Sequence, residues 1–253
     1  MVSPSSPILP FSSVSSPLSS SSKTSPVMKE RGYRNWADLP PELTSSILLR
    51  LGAIEILENA QKVCKSWHHI CKDPLMWRKI DMHNDLGHEH KTICRHKAMC
   101  RHVVDRSQGG LVKIDIWYFG TDSLLDYIAD SGFTSAIVKL PLLEDLEVSA
   151  CDLSVESLEV VGKCCPNLKT LKLNNPLINY NDDEFAIVIA ECIPKLRHLQ
   201  LLRNRLTNTG LKAILDSCSH LDHLDLRECS NINLVGDLEM RCYEMIRVLR
   251  FTH

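Results

Sequence analysis

No stretch of this chain approaches the roughly 18 consecutive apolar residues that a membrane-crossing helix needs, and no basic start followed by an apolar middle marks a secretory signal. Positive charge is not in surplus: 29 Lys and Arg stand against 31 Asp and Glu, a formal net charge of −2. A protein that grips nucleic acid by neutralising phosphates needs such a surplus, so neither nucleic acid nor membrane is expected as a partner. The sequence has no Cys-x-x-Cys pair, no nucleotide-binding loop and no Ser-His-Asp or Cys-His constellation. No nucleophilic catalysis, cofactor or metal is therefore expected.

Cysteine, in contrast, is plentiful: 11 residues, an odd number. With no secretory signal, a reducing compartment is the simpler reading, which means reduced thiols and a place in the nucleus or cytoplasm. Hydrophobic residues at 44% and charged residues at 24% fall in the ordinary globular range. The 253 residues suffice for one or two domains with a sizeable core.

Residues 1–32 are Ser- and Pro-rich, with apolar side chains scattered without period. Such a segment cannot bury enough surface to offset its ordering entropy, and a disordered tail is expected. An organelle transit peptide is the alternative, since Glu30 is the first acid, but only Lys23 and Lys29 precede Arg31 as bases.

The pattern changes over residues 33–80. In "LPPELTSSILLRL" (39–51), Pro40 and Pro41 suit a first helical turn, and Leu43, Ile47, Leu48 and Leu51 recur at helical spacing. Gly52 is placed to stop that helix. A second apolar set runs from Ile54 to Ile70, and a turn at Asp73-Pro74 leads to Leu75, Trp77 and Ile80. So small a helical piece buries its apolar surface poorly alone, so part of it should await a partner. Trp36, Leu39-Pro40, Glu42-Leu43, Ile47-Leu48, Leu51, Val63-Cys64, Trp67, Asp73-Pro74, Leu75 and Trp77 together resemble an F-box. "GAIEI" departs from the proline and acid that many F-boxes carry between their first two helices. The resemblance implies a Skp-type adaptor as partner, and through it a cullin–RING ubiquitin ligase. The adaptor-binding residues it implies are Leu39, Pro40, Ile47, Leu48, Leu51, Val63, Cys64 and Trp67.

Residues 81–108 are expected as a solvated linker helix. His83, His88, His90, Cys94, His96, Cys100 and His102 crowd it, but "CRH" occurs twice, at 94–96 and 100–102, which points to a small duplication. The spacing does not gather four tetrahedral ligands.

Internal periodicity decides residues 109–253. "LEDLEVSAC" from Leu143, "LKTLKLNNP" from Leu168, "LRHLQLLRN" from Leu196 and "LDHLDLREC" from Leu221 each read L-x-x-L-x-[LV], in steps of 25, 28 and 25 residues. That is leucine-rich-repeat spacing. Helix signals lie between them at Leu158/Val161, Phe185/Ile189 and Leu211/Leu215, and Leu111 and Ile246 begin a first and a last strand. The ninth position, Cys151, Pro176, Asn204 or Cys229, falls where the chain leaves the strand, and a small polar group there can bond backbone freed by the turn. Intervening residues should line a concave face that alternates acidic, basic, basic-polar and acidic. A client protein would meet Glu147, Lys172, Arg197, His198, Gln200, Asp222 and Asp225 there, unless these groups merely pair across strands.

The ninth-position residues and the cysteines near helix ends (Cys165, Cys192, Cys218) resemble those of plant F-box/LRR proteins. The fold class is then α/β: an N-terminal three-helix F-box followed by a short solenoid of parallel strands and helices. The family implies a non-enzymatic substrate receptor of an SCF-type ubiquitin ligase. The alternative is a repeat scaffold with no ligase role. One defect is expected: "DSLLDYIADS" and "GFTSAIVKLP" both read as repeat helices with no strand between them, which predicts a distorted seam between the strands at 111–116 and 143–148.

Reduced thiols carry a test: alkylation of the denatured protein without reductant should label all 11 cysteines by mass spectrometry, and an even-numbered protected set would contradict the reading.

Overall fold

The computed structural model describes residues 36–83, 90–129, 140–151, 153–174 and 182–252. The expected tail, His88 and most of "GFTSAIVKLP" lie outside them.

After a 3-10 turn at Trp36–Asp38, α1 (Pro41–Leu48) begins on its proline, where no N–H donor is missed. The helix tightens at its end, with Arg50 N–H bonded to the Ile47 carbonyl and Leu51 N–H to that of Leu48. Gly52 therefore does not stop α1. It is the extended N-cap of α2 (Ala53–Glu58), and its carbonyl accepts the Ile56 N–H at 3.1 Å. A 3-10 turn (Ala60–Lys62) leads to α3 (Lys65–Ile70), whose Trp67 N–H is capped by the Cys64 sulfur. Asp73 caps the 3-10 turn Pro74–Trp77 through the Leu75 N–H at 2.9 Å.

The rest alternates strand and helix: β1 (Lys79–Asp81), α4 (His90–Arg106), β2 (Lys113–Trp117), α5 (Asp122–Ala129), β3 (Asp145–Ser149), α6 (Val155–Cys164), β4 (Thr170–Asn174), α7 (Asp182–Cys192), β5 (His198–Leu202), α8 (Asn208–Ser217), β6 (His223–Asp225), α9 (Asp237–Met245) and β7 (Val248–Arg250). The seven strands form one parallel sheet in chain order. Its register aligns Ile80, Ile114, Leu146, Leu171, Leu199, Leu224 and Leu249 in one row. The first six are buried against the helices, together with the leading residues Leu111, Leu143, Leu168, Leu196 and Leu221. This is the solenoid that the repeat leucines imply.

Three expectations change. The sheet starts at Lys79, one strand earlier than the sequence reading placed it. The supposed solvated linker is α4, the crossover from β1 to β2. It packs on α2 and the Pro74–Trp77 turn on one side and on α5 on the other, burying His96, Cys100, Val103 and Val104. Its low overall hydrophobicity hid a narrow apolar stripe at helical spacing. The distorted seam is also not found: β2 and β3 pair over five positions, Lys113↔Asp145 to Trp117↔Ser149, as fully as β3 and β4. From Lys113 to Asp145 takes 32 residues, against 25 from Asp145 to Thr170, so the array carries a longer connection there rather than a lost strand.

The helical module and the solenoid share one core, from Leu48 through Ile246. Arg106 on α4 ties them: its guanidinium donates to Gln61 Oε1 at 3.2 Å and to the Cys71 carbonyl at 3.3 Å, and lies over the Trp77 ring. Trp77 Nε1 donates to the same carbonyl at 2.9 Å.

After β2, β3, β5 and β6 the chain turns through a left-handed residue at the same repeat position: Tyr118, Ala150, Arg203 and Glu228 have φ of 66°, 54°, 55° and 64°. The ninth-position cysteines then bond backbone, as expected. Cys229 donates to the Leu201 carbonyl at 2.9 Å, while Cys151 donates to the Ser149 carbonyl and accepts from the Gly120 N–H, each at 3.1 Å. All 11 cysteines are thiols. Burial pushes the Cys151 and Cys218 thiols up to about 11 and that of Cys100 up to about 12, which suits buried fillers rather than nucleophiles.

Close helix stacking needs Gly162: a Cβ there would sit 2.6 Å from Cys192 Cβ and 3.2 Å from the Cys192 carbonyl oxygen. Gly162→Ala should therefore destabilise by ~1–3 kcal/mol in urea unfolding, although alanine is the better helix former. Stabilisation would show that α6 and α7 can part at no cost.

Candidate functional site

Two surfaces present side chains for contact. The first is the outer face of the helical module. Leu43 and Ile47 lie four residues apart on α1, hence on one face, and both are exposed. Trp36, Leu49, Leu51, Val63 and Leu75 are exposed as well, Val63 at 59% and Leu75 at 65%. So large a set of uncovered apolar groups in one small module marks an interaction surface. Of the residues expected to meet an adaptor, Pro40, Ile47, Leu51 and Val63 are exposed, and Leu39, Cys64 and Trp67 are half-buried. Leu48 is not available: it is 0% exposed, within the core. Helical spacing identifies an apolar stripe but not which edge of it faces inward. Leu43, four residues before Ile47, was the signal that extended the outer edge.

The second surface is the concave face of the sheet. The register sets two rows across it. One runs Lys79, Lys113, Asp145, Thr170, His198, His223 and Val248. The other runs Asp81, Asp115, Glu147, Lys172, Gln200, Asp225 and Arg250. Cross-strand pairing is real: Lys172 bonds Glu147 at 2.7 Å and Lys169 bonds Glu144 at 2.8 Å. Gln200 donates to Asn174 Oδ1 at 2.9 Å, and Asn174 donates to Ser149 Oγ at 3.0 Å. Asp225 is buried and accepts from the Arg227 guanidinium, at 2.9 Å on Oδ1 and 2.8 Å on Oδ2, and from the Arg227 N–H at 3.3 Å, so its carboxylate serves the turn. Arg197 is exposed, while His198, Gln200 and Asp222 are half-buried.

Thr170, Lys172, His198, Gln200, His223 and Arg250 contribute to a shallow cavity of about 410 Å³. Burial, then the neighbouring His223, holds His198 below the usual imidazole value, while a hydrogen bond from His223 lowers Asp222. Among described residues of the His/Cys crowd, Cys94 meets His90 at 3.8 Å, whereas His96 and Cys100 turn into the core. His83 stands instead beside Asp81 and Asp115, its ring stacked 3.9 Å from that of Trp117. Sequence reading named His83 but missed its grouping with Asp81 and Asp115, because β1 was not recognised. The repeated Lys-Ile-Asp of 79–81 and 113–115, which pairs residue for residue, was the signal.

A helical module with an uncovered apolar face, running straight into a parallel strand-and-helix solenoid, defines an F-box joined to leucine-rich repeats. A family described as F-box-like matches residues 36–83. The F-box protein SKIP19 of Arabidopsis thaliana is 59% identical over 251 residues, covering 92% of this chain and 82% of the relative. Putative F-box/LRR-repeat protein 22 of the same plant is 51% identical over 262 residues, covering 94% and 83%. Putative F-box/LRR-repeat protein 23, also from Arabidopsis thaliana, is 55% identical over 267 residues, covering 96% of this chain, which spans 59% of that relative. The chain belongs to the plant F-box/leucine-rich-repeat family, whose members are non-catalytic.

Asp115 is the strained member of the concave rows. Its Oδ1 is buried with no hydrogen-bond partner among the described residues. Burial, then Glu147 and Asp81 on the flanking strands, raise its carboxyl to about 6. The unfolded group loses its proton near 3.8. Between these values the folded chain holds a proton that the unfolded chain has released, so this group's contribution falls as pH rises from about 4 to 6. Asp115→Asn should remove that fall and raise stability at pH 7.5 by ~1 kcal/mol, the full shift being discounted for solvent screening. Urea unfolding at pH 4.5 and 7.5 measures it, and an unaltered difference between the two would sink the assignment.

Proposed function

We propose that this chain is the substrate-recognition subunit of an SCF-type (Skp–cullin–F-box) E3 ubiquitin ligase. The observation that carries the proposal is the exposed apolar set Trp36, Leu43, Ile47, Leu51, Val63 and Leu75 on the segment that matches an F-box. These side chains suit the apolar helices of a Skp-type adaptor. In this reading residues 33–80 hold the adaptor, residues 109–253 present a client, and α4 fixes one unit against the other. Catalysis belongs to other subunits, and the receptor contributes proximity of a held substrate. Glu147, Lys172, Arg197, His198, Gln200 and Asp222 offer the client a mixed-charge face. The same reading expects the protein in the nucleus, the cytoplasm or both. No helix among the described residues is long and apolar enough to cross a membrane.

A second reading, a scaffold in which the helical module only caps the solenoid, draws on the insertion of β1 into the sheet and the packing of α2 on α4. A cap alone gives no reason for the exposed row.

Adaptor co-precipitation separates the two. Ile47→Asp and Val63→Asp each place a charge in the proposed apolar contact and should weaken adaptor binding at least tenfold with the fold intact. Leu48→Asp is a poor probe, because it buries an unpaired charge in the chain's own core. Leu48→Ala should cost ~2–5 kcal/mol of stability while its folded fraction still binds. No binding by the wild type favours the scaffold, and undiminished binding by both aspartate variants would show that this face is not the adaptor's contact.

A further inference from the structure

We propose that His198, His223 and Asp222 form a binding site for a divalent transition metal of the zinc class on the concave face. The site stands independently of the ligase reading and draws on nothing from the helical module.

The β5–β6 ladder sets His198 directly opposite His223. Parallel neighbours lie about 4.8 Å apart, and the two imidazoles face each other with centroids 4.1 Å apart and planes at 35°. The carboxylate of Asp222, one residue before His223, lies near a nitrogen of each ring. Its Oδ1 hydrogen-bonds His223 Nδ1 and lies 3.7 Å from His198 Nε2. The three donor atoms fall within 4.8 Å of one another.

Two imidazole nitrogens and one carboxylate oxygen suit zinc and its transition-metal neighbours better than magnesium or calcium, which prefer all-oxygen sets. Metal–donor bonds near 2.0–2.1 Å place tetrahedral ligands about 3.4 Å apart, so Asp222 and His223, now hydrogen-bonded, must part slightly, while the 3.7 Å between Asp222 and His198 needs little change. Side chains that remain 43%, 37% and 37% exposed have room for that rotation. The backbone beneath them is fixed by the sheet, which limits the entropy lost on binding. An ion would replace the hydrogen now shared by Asp222 and His223, that proton moving to the other ring nitrogen. Of the charged neighbours, Asp145 favours a cation and Arg197 opposes it. Three protein donors leave a fourth position for water or for a client's side chain, at the rim of the 410 Å³ cavity.

A second group, Asp81, His83 and Asp115, also brings three donors together. It offers two carboxylates and one imidazole, a poorer zinc set, and it supplies the control.

The test uses the full chain with any affinity tag removed. Zn2+ is titrated against a chromophoric chelator at pH 7.5, and Co2+ is added separately to read tetrahedral coordination from its visible absorption. Wild type should bind one equivalent at the site and show the Co2+ bands. His198→Gln and His223→Gln should each weaken Zn2+ binding at least tenfold and abolish the bands, whereas His83→Gln and His90→Gln should leave both unchanged. These side chains lie on the solvent face, so the variants should keep the wild-type circular dichroism. Should His223→Gln unfold, His198→Gln alone decides. Absence of binding, less than tenfold weakening in His198→Gln, or loss of the bands in His83→Gln would overturn the proposal.

Discussion

One row of aliphatic side chains governs this molecule. Ile80, Ile114, Leu146, Leu171, Leu199, Leu224 and Leu249 stand in register across seven parallel strands, each covering the flank of the next. A single strand and helix cannot close over its own leucines, so burial of ~1.5–3 kcal/mol per side chain is gained only when a neighbour stacks on it. Because side chains alternate across a strand, the same register that sends this row inward sends the flanking positions outward in two ordered rows. The concave face is thus a consequence of the core: Glu147 meets Lys172, and His198 meets His223, because Leu146, Leu171, Leu199 and Leu224 must align.

The helical module enters this scheme through its last residues. Ile80 belongs at once to the end of the F-box segment and to the first strand, so the module's core and the solenoid's core are continuous. Adjacent residues on α1 then have opposite fates. Leu48 points into that core, while Ile47, about 100° around the helix, remains in the open with Leu43. An apolar stripe wider than its own core can cover is the physical basis for assigning a partner to this face. Arg106 and its bonds to Gln61 and Cys71 hold the face at a set angle to the sheet. The receptor role proposed above calls for such rigidity, because a held client must reach a distant catalyst.

Where the sequence was legible, two apolar residues at fixed spacing fell in one element. The L-x-x-L-x-[LV] cores became β3 to β6, and the Glu144/Lys169 and Glu147/Lys172 pairing followed from their steps. Reading failed where one element carried too few such residues. β1 has a single buried side chain, Ile80, and its kinship to β2 lies in polar Lys and Asp that a search for leucines passes over. In α4 the inward residues include a histidine and a cysteine, His96 and Cys100, which composition counts as polar or reactive and packing treats as filler. The supposed seam came from treating every helix-like stretch as the sign of a strand to follow. Periodicity reports a face and says nothing of how many residues a connection spends. Exposure is likewise beyond periodicity, which is why Leu48 and Asp225 read as contacts although both are enclosed.

The concave rows divide into charges that a client can take over and charges it cannot. Lys172 and Glu147 are partly exposed, and an exposed pair contributes little, so trading one partner for a client's side chain is nearly neutral. Asp225 is different, because parting it from Arg227 would strand a buried carboxylate. Acids accumulate at the end nearer the F-box, where Asp81, Asp115 and Glu147 stand side by side and only Glu147 has a lysine directly across the next strand. The far end of the same row closes on Arg250. For the proposed client, this row by itself would favour a basic group toward the helical module and an acidic one away from it, with Lys79 and Lys113 standing beside the acids in the neighbouring row.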